Sequence, residues 1–279
     1  MSKMQACCVA LLAVLAAAPC YAADPAANEN PTKVEDLPQW LLSLRTYFSV
    51  ISDKRWPVPP GVGENSKSFA LTQFGGTVSY RPAGSETFFD ITAFAGSAGG
   101  IGYQAVDSFG TVYAGQMQVH RYDFEALAKT PVVPHSAALL VYGVRYVYES
   151  SSIPGIDSNG LPFLYRESTN YLFGVSGVSF WYDIDSAQRH SVYAGLTAGP
   201  GYKFSRDTNL CCGGLLDTSD ARSGVVAGIA GHVGYAYSLT PTMQISARVR
   251  FDFISGAGPS FAKESTSIAG LEINLTKKW

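Results

Sequence analysis

The sequence predicts an all-β protein, an antiparallel up-and-down transmembrane β-barrel of about ten strands, with eight or twelve strands as alternatives. Hydrophobic residues make up 47% of the chain. No stretch beyond the N-terminal segment approaches the roughly 18 consecutive apolar residues of a spanning helix. Apolar and polar residues instead alternate along ten segments, which is the period of a strand with two different faces. The 28 Gly, 16 Tyr and 15 Phe residues and the low charged fraction of 15% agree with this fold.

The N-terminal segment has the features of an export signal. Lys3 supplies a positive charge, residues 7–19 are apolar, and residues 20–22 (Cys-Tyr-Ala) offer a cleavage site with small residues at its outer positions. We therefore expect residues 1–22 to be a cleaved signal peptide, too short to span a bilayer. A lipoprotein signal, in which Cys20 would carry the lipid, is the alternative, and the proline before it disfavours that interpretation.

Ten strands are predicted in the rest of the chain. Residues 23–39 precede them and contain three prolines, so they are interpreted as a periplasmic linker, and the barrel domain is predicted over 40–279. The clearest alternation runs from Met243 to Phe253, where every second residue is apolar. The predicted strands lie at residues 40–51, 68–81, 87–96, 111–123, 137–149, 168–182, 190–203, 223–238, 242–254 and 266–276.

The connections between these strands alternate in length. The short connections are 82–86, 183–189 and 239–241. The long ones, rich in glycine and polar residues, are 52–67, 97–110, 150–167, 204–222 and 255–265. The connection 124–136 is an exception of medium length. Bacterial barrels have short periplasmic turns, long outer loops and an even number of strands. Ten strands therefore place both ends of the barrel in the periplasm and the long connections outside.

The last ten residues form an alternating segment that ends on an aromatic residue. Gly270 is followed by Ile273 and Leu275, two residues apart on one face, and Trp279 comes last. This arrangement resembles the C-terminal insertion signal of bacterial outer-membrane β-barrels, from which the residues 276–278 before Trp279 depart. The resemblance implies an outer-membrane location, contact with outer-membrane lipid and lipopolysaccharide, and insertion by the barrel-assembly machinery.

Charged and polar residues are predicted to fill the barrel. If the apolar face of 242–254 meets lipid, Arg248 and Arg250 must point into the lumen. The same rule places inside Arg45, Gln73, Asp90, Gln116, Gln118, His120, Arg145, Glu149, His232, Asp252 and Glu272. A ten-stranded barrel is narrow, so we expect these charges to pair, with Arg250 and Glu272 as cross-strand neighbours. The result is a structural polar network or a narrow arginine-lined pore that favours small anions.

Residues for catalysis are scarce. Of the four histidines, His120 and His232 are expected in the periplasmic half of the lumen, and His135 and His190 near periplasmic turns. Ten strands is also the size of the omptin-like proteases, but their paired acidic residues and aspartate–histidine couple at the outer rim are not found in this sequence. We therefore expect no enzyme, metal or cofactor. A net charge of −2 argues against nucleic acid as a partner.

Cys211 and Cys212 are adjacent in a predicted outer loop and are followed by Gly213 and Gly214. In an oxidising compartment this pair could close a disulfide, stay reduced, or link two chains. The glycines would relieve backbone strain beside a bond between neighbours.

The favoured function is that of a small outer-membrane barrel with a structural, surface-recognition or narrow-pore role. One alternative is an accessory barrel of a polysaccharide or secretion pathway, which would dock a periplasmic partner through 23–39 or 124–136. The others are an outer-membrane enzyme that acts on lipid or peptide, and a soluble exported β-protein.

Overall fold

The computed structural model describes residues 39–54, 67–106, 110–134, 136–211, 218–256 and 264–279. The predicted signal peptide and residues 23–38 of the predicted linker lie outside the described residues. The strands are β1 Trp40–Lys54, β2 Lys67–Tyr80, β3 Phe88–Val106, β4 Val112–Pro131, β5 Ala138–Asp157, β6 Pro162–Asp183, β7 His190–Cys211, β8 Thr218–Thr240, β9 Met243–Gly256 and β10 Ser265–Lys278.

The ten strands form one closed antiparallel barrel, so the predicted fold class and strand number are confirmed. Each strand pairs with the next in sequence, and β1 pairs with β10 to close the sheet. We call the pairing of β1 with β10 the seam. It includes Trp40 and Trp279, where the Trp279 amide donates to the Trp40 carbonyl at 3.0 Å. Among the described residues, no helix is long and apolar enough to cross a membrane.

The outward face of the lower barrel is apolar. Leu44, Phe74 and Val249 point outward and are each more than half exposed in the protein alone, whereas their sequence neighbours point inward. An apolar belt on the outside of a closed barrel is the surface that faces acyl chains. Both barrel termini lie at the end with the short turns, which is the periplasmic end of bacterial barrels.

Strands β3 to β8 extend far beyond this belt. They contain 19 to 23 residues, whereas a transmembrane strand needs about 9–11. Strands β1, β2, β9 and β10 contain only 14 or 15. The described strands therefore reach further toward the extracellular end on one side of the barrel, which we call the tall side, than on the other.

Several predicted connections were wrong in length because strands occupy most of them. The predicted loop 150–167 is mainly the ends of β5 and β6, joined by residues 158–161. The medium connection 124–136 shortens in the same way because β4 continues to Pro131. Immediately above the lipid belt the outward residues are polar, as at Ser150 and Ser152. The alternation of apolar and polar residues that marks a membrane strand therefore ends there, although the strands remain paired.

The periplasmic turn between β6 and β7 is held by one carboxylate. The Asp185 side chain accepts a hydrogen bond of 2.8 Å from the His190 amide. This bond is the main reason that the pKa of Asp185 lies below its usual value. Gln188 adopts a positive φ of 52° in the same turn.

Candidate functional site

The lumen is the place where most of the predicted site residues meet. The structure places inside the barrel Arg45, Gln73, Asp90, Arg145, Glu149, His232, Arg248, Arg250, Asp252 and Glu272. It adds Arg121, Asp123 and Glu125, which the sequence interpretation missed. Within the described part of the chain, five arginines and five carboxylates form a belt of ion pairs across the membrane-embedded lumen. We call this set the charge belt: Arg45, Arg121, Arg145, Arg248, Arg250, Asp123, Glu125, Glu149, Asp252 and Glu272.

Asp123 is the most heavily used acceptor of the charge belt. Its carboxylate accepts from Arg121 Nε at 2.8 Å, from Arg145 Nη2 at 2.9 Å and from Gln73 Nε2 at 3.1 Å. Arg121 also donates to Glu149 at 3.0 Å. All five side chains are buried. Buried charges are tolerated when each is paired and hydrogen-bonded, and that condition is met here.

Asp252 and Glu125 extend this group across the lumen. Arg145 Nη1 donates to Asp252 at 2.7 Å, and Arg250 Nε donates to the same carboxylate at 3.0 Å. Arg250 Nη2 also lies 3.2 Å from Glu125. Since Arg145 comes from β5 and Asp252 from β9, these bonds join opposite sides of the barrel wall.

Glu272 forms a second group with two arginines. Arg45 Nε donates to it at 2.7 Å and Arg248 Nη2 at 2.8 Å. The predicted pairing of Arg250 with Glu272 was wrong. In the β9–β10 register, Ser255 pairs with Ser265. Arg248 therefore pairs with Glu272, and Arg250 pairs with Gly270.

Gln116, Gln118 and His120 were predicted inside and instead point outward. Their neighbours Met117 and Val119 are buried in the lumen. The rule that apolar residues face outward holds only where the outside is lipid. On this stretch of β4, just above the acyl chains, the outside is a polar environment and the inside is an apolar core, so the rule is reversed. His120 therefore lies toward the extracellular end, not in the periplasmic half.

The remaining histidines lie in separate places. His232 faces the lumen beside the Tyr193 ring, with ring centroids 5.9 Å apart. His190 is hydrogen-bonded to the Tyr235 hydroxyl at the periplasmic end. His135 and Cys212 lie outside the described residues, so the disulfide predicted between Cys211 and Cys212 stays a prediction.

An apolar core packs beside the charge belt and fills the lumen above it. Its buried residues come from nine of the ten strands: Tyr47, Ile51, Phe69, Leu71, Phe94, Tyr103, Met117, Val119, Ile153, Phe163, Tyr165 and Ile268, with Val147, Tyr171, Phe173, Val226 and Ile254 as a second cluster. Ile51, Ile153 and Val147 have no exposed area. The upper barrel is therefore packed like the interior of a soluble protein.

A polar cluster faces the interior of the barrel, from the upper part of the lipid belt, at Lys203, toward the extracellular end. Lys203 forms an ion pair with Glu264, and Arg222 bridges Glu264 at 3.0 Å and Asp207 at 3.1 Å. Burial, reinforced by the neighbouring Glu167 carboxylate, raises the pKa of Asp207. These contacts connect β7 and β8 to the segment that begins β10.

Among the described residues, the side chains of the charge belt have little exposed area. Arg121 and Glu272 are 0% exposed, and Arg145 and Arg250 are 6% exposed. Side chains that lined an open channel would be reached by water. Among the described residues, no group of three or more His, Cys, Asp or Glu side chains is placed to hold a metal ion.

Comparison with known proteins identifies the fold. No family model and no curated protein matches the chain by sequence. Among solved structures, the outer membrane protease OmpT from Escherichia coli is similar over 90% of this chain and 99% of its own, with a TM-score of 0.58 and 10% identity. The chain has the fold of a bacterial outer-membrane β-barrel.

A second solved barrel aligns over a similar share of the chain. The translocator domain of the autotransporter NalP from Neisseria meningitidis aligns over 86% of this chain and 89% of its own, with a TM-score of 0.49 and 9% identity. The fold and its apolar outer belt place the protein in the bacterial outer membrane. At these identities the likeness concerns the fold alone.

Proposed function

We propose that this protein is a sealed, non-conducting outer-membrane barrel with a structural and surface-recognition role. The observation that carries the proposal is the filled lumen: in the described part of the chain, the charge belt and the apolar core are almost entirely buried. A pore needs a wet passage whose lining groups are free to meet ions. Here the arginines of the charge belt, such as Arg145 and Arg250, are occupied by carboxylates, which disfavours the anion-pore alternative.

The tall extracellular wall is the surface that such a barrel offers to partners. Near the top of β5 and β6, Ile156 is 58% exposed and Leu161 is 43% exposed. Leu210 at the end of β7 and Val106 at the end of β3 are also exposed. These apolar side chains lie where the solvent is water, and Ile156 and Leu161 belong to the same β5–β6 hairpin. Neighbouring apolar residues on a wet surface mark contact sites for other proteins. We call these four residues the apolar rim.

The proposal assigns no catalytic step to the barrel. The described histidines face three different surroundings: His120 the outer surface, His190 the periplasmic rim and His232 the lumen. A general base needs a reacting group within hydrogen-bond reach and a partner that orients it. The separation of these side chains supports a recognition role over hydrolysis of lipid or peptide.

Surface recognition can be tested on cells that express the protein. We expect cells with the wild-type barrel to aggregate, or to adhere to protein-coated surfaces, more than cells with an empty vector. Ile156→Asp combined with Leu161→Asp should reduce adhesion to the vector level, because charged side chains cannot be buried against an apolar partner. The measurement is the fraction of cells that settle or bind.

The matched control is Ile184→Asp, which changes an equally exposed isoleucine (55%) in a periplasmic turn. This variant should adhere like the wild type, and a heat-dependent gel shift should show that all the variants are folded. Adhesion of the wild type at the vector level, or full adhesion of the rim variant, would contradict the recognition role.

A further inference from the structure

The outer face of β4 to β7 carries two polar rows that follow from the strand register. His120 is paired with Ser150, Ser150 with Ser168, and Ser168 with Arg206, so these four outward side chains form one row across the sheet. The next row toward the extracellular end contains Gln118, Ser152, Arg166 and Thr208. We call these eight residues the outer basic patch.

The outer basic patch forms a groove immediately above the lipid belt. The groove has a volume of about 420 Å³, and its lining includes His120, Arg166 and Arg206. The row directly below contains Tyr122, Tyr148, Asn170 and Phe204, and the row below that contains Phe124, Tyr146, Leu172 and Tyr202. Aromatic rows of this kind mark the interface between acyl chains and headgroups. The patch therefore lies at the depth of the outer-leaflet headgroups.

The two arginines of the patch have no ion-pair partner in the described part of the chain. Arg166 and Arg206 are both exposed on adjacent strands, one residue row apart. The carboxylates closest to them in sequence point to the opposite face of the sheet. There Glu167, which also borders the groove, accepts from the Thr169 and Ser205 hydroxyls, and Asp207 pairs with Arg222. Outward positions of β4 to β7 in these rows contain only hydroxyl, amide, imidazole and guanidinium groups. The patch thus has uncompensated positive charge surrounded by hydrogen-bond donors.

We propose that the outer basic patch binds a phosphate group of a phosphorylated glycolipid in the outer leaflet. Guanidinium groups form paired, charge-assisted hydrogen bonds with phosphate oxygens, and the serine and threonine hydroxyls would complete the phosphate's hydrogen bonding. The acyl chains of the same lipid would lie against the aromatic rows below. A phosphorylated lipid has both a phosphate for the outer basic patch and acyl chains for the aromatic rows below it. A free anion would contact only the outer basic patch. The inference does not depend on the sealed-barrel function.

The proposal can be tested by native mass spectrometry of the detergent-purified full barrel. The probes are bisphosphorylated lipid A, the same lipid after phosphatase treatment, and inorganic phosphate alone. We expect the wild type to retain the bisphosphorylated lipid and to lose most binding when the phosphates are removed. Arg166→Gln combined with Arg206→Gln should weaken binding about tenfold or more, the effect of losing two charge-assisted contacts.

The matched control is Arg189→Gln, which removes an exposed arginine in a periplasmic turn and should bind like the wild type. Heat-dependent gel shifts should show that every variant is folded. Equal binding of phosphorylated and dephosphorylated lipid, or unchanged binding by the double variant, would overturn the proposal. Binding of inorganic phosphate alone with the same dependence on Arg166 and Arg206 would also overturn it, because the site would then serve a free anion.

Discussion

Replacement of Asp123 by alanine is expected to destabilise the folded barrel by about 3–5 kcal/mol, the usual cost of removing one partner of a buried ion pair. The Asp123 carboxylate accepts from Arg121, Arg145 and Gln73. Alanine would leave two guanidinium groups deep in the lumen with fewer acceptors: Arg121 would keep Glu149, and Arg145 would share Asp252 and Glu125 with Arg250. The protein must then admit water into the lumen or lose part of its structure.

The free energy of unfolding can be measured by urea titration of the barrel reconstituted in lipid vesicles, with tryptophan fluorescence as the signal. The matched control is Asp220→Ala, which removes an exposed carboxylate near the extracellular end of β8. The control should change stability by less than about 0.5 kcal/mol, as is usual for surface substitutions. If both variants unfold at the same urea concentration as the wild type, the charge belt does not stabilise the barrel.

Replacement of Gly270 by valine is expected to prevent closure of the barrel. A Cβ atom at Gly270 would lie 2.0 Å from the Phe48 carbonyl oxygen and 2.6 Å from the Ser49 Cα. Both atoms belong to the backbone of β1, on the other side of the β1–β10 seam, so no side chain can move aside. We expect a cost above the roughly 1–3 kcal/mol of ordinary overpacking, and a folded yield close to zero.

The yield of folded barrel can be followed by the heat-dependent gel shift after refolding into detergent. Gly102→Val is the matched control, because a Cβ atom at Gly102 meets no atom within 4 Å, and this variant should refold like the wild type. Efficient refolding of Gly270→Val would show that the seam is looser than the structure indicates. The same glycine begins the C-terminal segment that resembles an insertion signal. The close approach of β1 is a second reason why this position needs a residue without a side chain.

The sequence predicted the membrane-embedded part of the fold well because lipid outside and polar groups inside impose a clear alternation. In β9 and β10 this alternation placed Arg248, Arg250 and Glu272 in the lumen, where the structure also has them. It did not predict the correct partner of Arg250, since register depends on where each hairpin ends and an error of two residues changes the pair.

The upper barrel could not be predicted by the same rule. There the outside is a polar environment and the inside is an apolar core, so Met117 and Val119 point inward while Gln118 and His120 point outward. The reversed alternation also explains why Arg121 was missed. If His120 is taken to point inward, its neighbour Arg121 must point outward. A signal was present in the sequence: residues 121–125 alternate charged and aromatic side chains, and that pattern read by itself places Arg121, Asp123 and Glu125 in the lumen.

The most direct test of the filled lumen is electrical conductance across a planar lipid bilayer that contains the purified wild-type barrel. Insertion can be verified independently by protease protection of the membrane-embedded fragment. The structure predicts that inserted barrels produce no discrete current steps above the bare membrane, at either polarity. Stable, reproducible open steps from the folded wild-type protein would contradict the sealed lumen, and the proposed function with it.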